Sequence, residues 1–484
     1  MSDEQIEYNA VGKPKIRAKA RVVPITPAED DSLYEVRQKV YPRAVSGVFA
    51  NWRWAMVWLT QIVFYGFCWL PWNGRQGVLF HLAERKFYIF GFVFWPQDVF
   101  YLAVLLIISA YSLFLFTTVA GRLWCGFTCP QTVYTEMFLW IEKIVEGDRA
   151  KRMKLDQSGG ARKFGLKSLK YFLWFVLSAW TGITFVGYFT PVQGLMHDIA
   201  NWQLSGWEIF WVLFYGGFTY LMAGVMREQV CKYMCPYARF QSVMFDQDTL
   251  IITYDQERGD PRGSRRKGED YKAAGKGDCV DCGICVQVCP TGIDIRNGLQ
   301  YECIGCAACI DACDQVMEKM DYPKGLIRYS TENAVRKHWV RADILRHVMR
   351  PRVLIYSAIL WAIIGAFIWG LATRSPVRVD VIKDRTTLAR EVEGGFIENI
   401  YVLQLMNTSE IAREFRISVS GLSDIRLDGN ASQLVQAASN RTLTVHVRAP
   451  VEAAERGSHP IYFDVNLDDP EIRPLREKSV FIMP

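Results

Sequence analysis

The chain has 484 residues, 50% hydrophobic and 14% aromatic, and its 56 basic against 50 acidic residues give a formal charge of +6. This composition leans toward the membrane class, with room for two or three domains. The basic residues collect in a few loops and form no long tract, which argues against nucleic acid as a partner.

Residues 1–50 begin MSDEQIEYNAVGKPKIRAKARVVPITPAEDD. With no apolar core near its start, this segment is expected to be a disordered cytoplasmic arm and not a cleaved signal peptide. A four-span membrane domain is predicted over 51–245. A bilayer core takes about 20 mostly apolar helical residues, and windows at 54–72, 99–121, 169–189 and 207–226 meet that test. A fifth window, 353–372, follows a basic cluster at 336–352 in the segment 336–373. The stretch FYIFGFVFWPQD at 87–98 is broken by Pro96 and ends in a charge, so it reads as interfacial or re-entrant. Lysine and arginine crowd the loop 122–170 and are absent from 190–206. The positive-inside rule then puts the amino terminus and the segment 246–335 in the cytoplasm and the tail outside.

Cys125 with Cys129, and Cys231 with Cys235, form C-x3-C-P motifs just past the second and fourth windows, each preceded by an arginine, Arg122 or Arg227. The two windows look like an internal repeat. Cysteines four apart are expected on one helix face, so the two pairs together would make a four-thiolate pocket suited to Cu(I) or to a thiol-disulfide couple. Packing of small apolar side chains between helices is the alternative reading, and the one adopted for Cys68. Met196, His197 and Asp198 read as a solvated outer loop.

The segment 246–335 carries Cys279, Cys282, Cys285 and Cys289 at C-x2-C-x2-C-x3-C, followed by Pro290. Cys303, Cys306, Cys309 and Cys313 repeat the spacing, with Asp314 in the place of proline. Triplets with an offset fourth cysteine suit two 4Fe-4S clusters with crossed ligation. Cys279, Cys282, Cys285 and Cys313 would hold one, and Cys303, Cys306, Cys309 and Cys289 the other. Zinc would want two C-x2-C pairs. One-electron transfer is the expected job.

Residues 374–484 alternate apolar and polar positions, as in FRISVSGL and TLTVHVRAP, between Gly, Pro, Asn and Asp turns. A small antiparallel β-sandwich of immunoglobulin type is predicted. Asn407, Asn430 and Asn440 head N-x-S/T patterns that read as chance.

The combination of C-x3-C-P spans, a ferredoxin-like insert before a last span and a β tail resembles the FixG/RdxA/CcoG family of cytochrome c oxidase accessory proteins. The membrane half is also similar to quinol-dehydrogenase subunits of the NapH and NosR kind, which the tail distinguishes. The resemblance implies a bacterial inner-membrane protein, with a periplasmic tail, that reduces Cu(II) to Cu(I) for assembly of a cbb-type oxidase. Cys125, Cys129, Cys231 and Cys235 would then be the copper or terminal redox site. Expected partners are oxidase assembly factors or a copper transporter or chaperone, an electron donor not named by the sequence, and a second copy in a homodimer. The competing readings are a quinol-linked conduit to another reductase and a redox-sensing assembly scaffold.

Overall fold

A computed structural model describes residues 39–384, 389–429, 431–469 and 474–484. Among the described residues, four helices are long and apolar enough to cross a membrane: Pro96–Ala120, Ala161–Val186, Gly206–Met226 and Pro351–Ala372. None of the most apolar window of the first is buried within the chain, as expected of a helix whose solvent is lipid.

The window at 54–72 is the exception to the five predicted spans. Its helix, α1 (Val48–Gly66), starts earlier, ends in the single 3-10 turn Phe67–Trp69, and gives way to a strand at Pro71–Trp72. Asn51, Arg53, Thr60 and Gln61 dilute its apolar character, and Arg53 and Gln61 are buried. α1 nevertheless runs between the two ends of the bundle. At its start the Ala50 N–H donates to Asp311 of the cysteine-rich insert, and near its end the Tyr188 hydroxyl, beyond the Ala161–Val186 helix, donates to the Phe64 carbonyl.

Two further expectations change near the helix ends. The stretch 87–98 is not re-entrant but supplies strands Lys86–Ile89 and Phe92–Phe94, which join Val78–His81 in a three-stranded antiparallel sheet. Met196, His197 and Asp198 sit in the helix Val192–Ala200, not a loop, with the His197 ring bonded to Asn201 and Asp198. The arm predicted over 1–50 lies outside the described residues as far as 38. From residue 41 it is anchored: the Tyr41 hydroxyl donates to Asp156, and the Arg43 N–H to the Gln287 carbonyl.

α2 (Val99–Ala120) carries the chain to α3 (Leu123–Phe127) and α4 (Pro130–Glu146). α5 (Ala161–Val186) returns it, and α6 (Gly206–Thr219) continues as π-helical turns over Tyr220–Met226 before α7 (Pro236–Met244). The insert is closed by the antiparallel pair Ile251–Tyr254 and Ile327–Ser330 and contains α8 (Ile284–Val288) and α9 (Ala308–Met320). α10 (Pro351–Ala372) then packs antiparallel to α2: Arg350 bonds the Thr118 carbonyl at one end, and the Tyr101 hydroxyl bonds the Gly370 carbonyl at the other. The insert and the tail therefore lie at opposite ends of the helices.

In the tail, Arg426–Asp428, Ser439–Pro450, Phe396–Asn407 and Val377–Lys383 form one antiparallel sheet, with Arg390–Val392 also on the third strand. Ser432–Val435, Arg413–Ser420, Gly457–Leu467 and Leu475–Met483 form the other. Their inward positions, among them Tyr401, Leu403, Phe415, Val447, Phe463 and Phe481, make the core. Arg374 and Arg378 tie the sandwich to the buried Asp98 at the foot of α2, at 2.5 and 2.9 Å. The Asn407 side chain is consumed in bonds to backbone carbonyls, in keeping with its sequon being chance; Asn430 lies outside the described residues.

Glu398 is buried in this domain against Arg390, Arg448 (2.8 Å) and His446 (3.2 Å). Burial alone would raise its carboxyl, but the hydrogen bonds from Arg448, His446 and Arg390 outweigh that and hold it below the usual carboxylate range. A depressed carboxylate stabilises fully above its unfolded pKa of about 4.3 and loses that contribution as pH falls through the folded value. Glu398→Gln is therefore expected to cost the sandwich roughly 2 kcal/mol at pH 7 by calorimetry. The gap to wild type should close as the pH drops below about 4.

Candidate metal centre

The second cysteine of each C-x3-C-P motif opens a helix. Cys129 and Cys235 are the N-cap residues of α4 and α7, with Pro130 and Pro236 just inside, where the missing N–H is not needed. Cys125 lies in α3, and Cys231 in the π-helical turn Val230–Met234. The two cysteines of a pair therefore do not share one helix face, because the proline ends one helix and starts the next.

The internal repeat is visible in the backbone, though not where the arginines suggested. Four residues before each first cysteine the chain turns through positive φ, at Gly121 (φ 54) and Arg227 (φ 43). Arg227 thus replaces a glycine, a conformation disfavoured for a side-chain-bearing residue. Its guanidinium is clamped by Glu142 at 2.6 Å and the Gly224 carbonyl at 2.9 Å, and Glu142 also takes Arg152 at 2.8 Å. Arg122 reaches instead for the carbonyls of Tyr301, Cys303 and Ala238.

The four C-x3-C-P thiols form one electrostatic group. Burial pushes Cys125 up to about 11, with Cys129 and Cys235 adding to the rise, and pushes Cys231 up to about 12, with Cys129, Cys125 and Cys235 adding. Among the described residues, no three His, Cys, Asp or Glu side chains converge on a point that one metal ion could occupy.

The insert cysteines border two small cavities. One is lined by Cys279, Cys282, Cys285 and Cys313 with Val280, Val316, Met317 and Leu326. The other is lined by Cys289, Cys303, Cys306 and Cys309, and Cys285 touches both. Each cavity thus offers at least four sulfurs from two chain segments in an apolar wall, a donor set that fits a 4Fe-4S cluster. Asp314 explains the departure from proline: α9 continues through it to Met320, and its carboxylate receives the Gly325 N–H at 2.9 Å. A proline there would remove a helical N–H.

The second cavity sits directly on the C-x3-C-P motifs. Cys125 and Cys231 pack with Cys306 and Cys309 in one apolar cluster. Gly126 meets the insert backbone to backbone, since a Cβ on it would stand 2.6 Å from the Gly305 oxygen and 2.7 Å from the Cys306 nitrogen. Gly305 (φ 69) is pressed in turn against the Arg122 carbonyl. Spacing does not flag Gly126, Gly305 or Asp311, because their work is done across the interface. Asp311 accepts the Ala50 N–H at 2.7 Å and the Phe49 N–H at 3.2 Å, capping α1 in place of Gly47, which has no side chain to do so. Asp311→Ala is expected to cost about 1 to 2 kcal/mol in thermal unfolding.

Residues 226–332 match the family model of a 4Fe-4S dicluster domain, and residues 102–146, which include Cys125 and Cys129, match that of a 4Fe-4S binding domain. With four apolar helices of spanning length and the sandwich, fold and site define an integral membrane iron-sulfur protein with an immunoglobulin-like domain. Residues 367–484 match the model for the IG-like fold at the C-terminal of FixG. Over 431 residues the chain is 39% identical to Protein RdxB of Cereibacter sphaeroides, covering 87% of this chain and 90% of that one. It is 37% identical to the nitrogen fixation protein FixG of Rhizobium meliloti, covering 83% of each. The chain belongs to the FixG/RdxA/RdxB family.

Proposed function

We propose that this membrane iron-sulfur protein is an oxidoreductase that reduces Cu(II) to Cu(I) at its C-x3-C-P thiols in support of copper-centre assembly in a cbb-type oxidase. The observation that carries the reading is the contact of Gly126 with Cys306, which puts the Cys125 and Cys231 side chains against the wall of the second cavity. Cys279, Cys282, Cys285 and Cys313 would hold one cluster, and Cys289, Cys303, Cys306 and Cys309 the other; when bound, each supplies one electron at a time. Cu(II) takes one electron, and the soft sulfurs of Cys125, Cys129, Cys231 and Cys235 favour the Cu(I) product. Copper binds thiolates, so the protons that burial favours on Cys125, Cys129 and Cys231 leave as the metal binds. The basic loops support an orientation with these thiols on the cytoplasmic side and the sandwich in the periplasm. There the sandwich would meet assembly partners, and a copper transporter or chaperone would take the product.

Anaerobic protein reduced with dithionite, freed of excess reductant and titrated with Cu(II) tests this. About two equivalents of Cu(I), one per cluster, should appear on a chelator as the cluster absorption returns. Unchanged absorption with no Cu(I) would refute the reading.

A further inference from the structure

A cavity of about 510 Å3 opens between α1 and α4 at the insert end of the bundle, a size that suits a small-molecule site. One face of α1 supplies Trp54, Trp58, Gln61 and Tyr65, spaced so that they follow one another along the helix. α4 adds Trp140 and Glu136. Trp58 and Trp140 are 63% and 51% exposed, beside the equally exposed Leu59, Ile62 and Ile144. The exposed rim supplied by α1 and α4 is therefore largely aromatic and apolar, as a lipid-facing opening requires, while Arg43, Lys143, Asp148 and Arg152 make another part of the lining charged.

Inside, two buried polar atoms have no partner. Gln61 is 8% exposed with its Oε1 unbonded, and Arg53 is 7% exposed with its Nε unbonded. Both line this cavity, and buried polar atoms left in this state are costly unless something else meets them. A ligand with an acceptor at one end and a donor at the other would satisfy both. Val288, Pro290 and Ala308 form the floor; they adjoin Cys289 and Cys309 of the second cavity, and Arg53 Nη1 donates to the Cys306 carbonyl at 3.2 Å. Among the described residues the lining has no cysteine or histidine, which disfavours a copper ion.

We propose that this cavity binds the head of a membrane quinol, the electron donor to the second cluster site. The inference rests on the 4Fe-4S reading of the insert and not on copper as acceptor. A quinol has the flat apolar ring that the tryptophans accept, a hydroxyl for Gln61 and a second oxygen for Arg53. Its oxidation releases two electrons and two protons. With clusters held by the cysteines of the two insert cavities, each would take one electron; the Glu136 carboxylate would take the first proton, the second would go to water, and the quinone would return to the lipid.

The test is titration of the detergent-solubilised full chain with decyl-ubiquinone and with a short-tailed menaquinone, following tryptophan fluorescence. At least one of them should quench it saturably. Gln61→Leu in the interior and Trp58→Leu at the exposed mouth should each weaken that binding about tenfold, with cluster absorption as the check that each variant is folded and loaded. Absence of saturable quenching by both quinones would overturn the proposal, as would wild-type affinity in both variants. Displacement of the quinone by equimolar short-chain phosphatidylglycerol would overturn it too, by assigning the cavity to a phospholipid headgroup. Saturable quinone binding in protein that fails to reduce Cu(II) with dithionite would support this site while refuting copper as the acceptor.

Discussion

Replacing Cys231 and Cys235 together by serine is expected to lower Cu(II) reduction by dithionite-reduced protein on the order of a hundredfold, about 2.7 kcal/mol in the barrier. Iron content and cluster absorption should stay at the wild-type level. Neither cysteine is among the residues that line the two insert cavities, Cys231 lying behind the wall of the second, so their loss removes no sulfur from either donor set. What is lost is half of a thiol group whose members sense one another electrostatically, and with it the soft ligands that favour Cu(I) over Cu(II). Serine is close to cysteine in size and is a favoured residue at the N-cap position that 235 occupies, so a folding defect is not expected. If Cu(II) reduction survives unchanged, copper does not react at these thiols. If iron falls by half, they serve the insert clusters instead.

The second large effect requires no change to any cysteine. Gly126→Val should separate the C-x3-C-P turn from the insert, because the added Cβ would stand 2.6 to 2.7 Å from backbone atoms of Gly305 and Cys306. Backbone cannot swing aside as the end of a side chain can, so the relief must come from moving α3 or the loop that carries Cys303 and Cys306. Overpacking of this kind costs roughly 1 to 3 kcal/mol, sometimes more. The expected result is at least a tenfold fall in Cu(II) reduction, faster protease cleavage at the edges of the insert, and retained iron. Gly165→Ala, at a position with nothing within 4 Å, is the matched control and should change none of the three. Equal activity in the valine variant would show that electrons reach copper without this contact.

Local patterns in the chain were enough for several features. Eight cysteines at two repeats of one spacing announce the clusters, since a compact loop can present sulfurs only at such intervals. Period-two alternation announces the sandwich, and the two C-x3-C-P motifs announce a repeat. Of the five hydropathy windows, four became helices long and apolar enough to cross a membrane, whereas α1 runs between the same two ends with a more mixed composition, exposed tryptophans alongside buried Arg53 and Gln61; an average over a window cannot tell a lipid-facing helix from one that also shelters polar groups inside a bundle. Three things were decided only when the chain folded. The cysteines of each C-x3-C-P pair fall on either side of a helix break, the positive-φ residue ahead of the second pair is an arginine held by Glu142, and Gly126 lies on Cys306 from a segment far along the chain. Sequence records which groups are available and how their neighbours space them. Which of them meet across long loops depends on burial and close packing, and those forces act between segments that no local pattern connects.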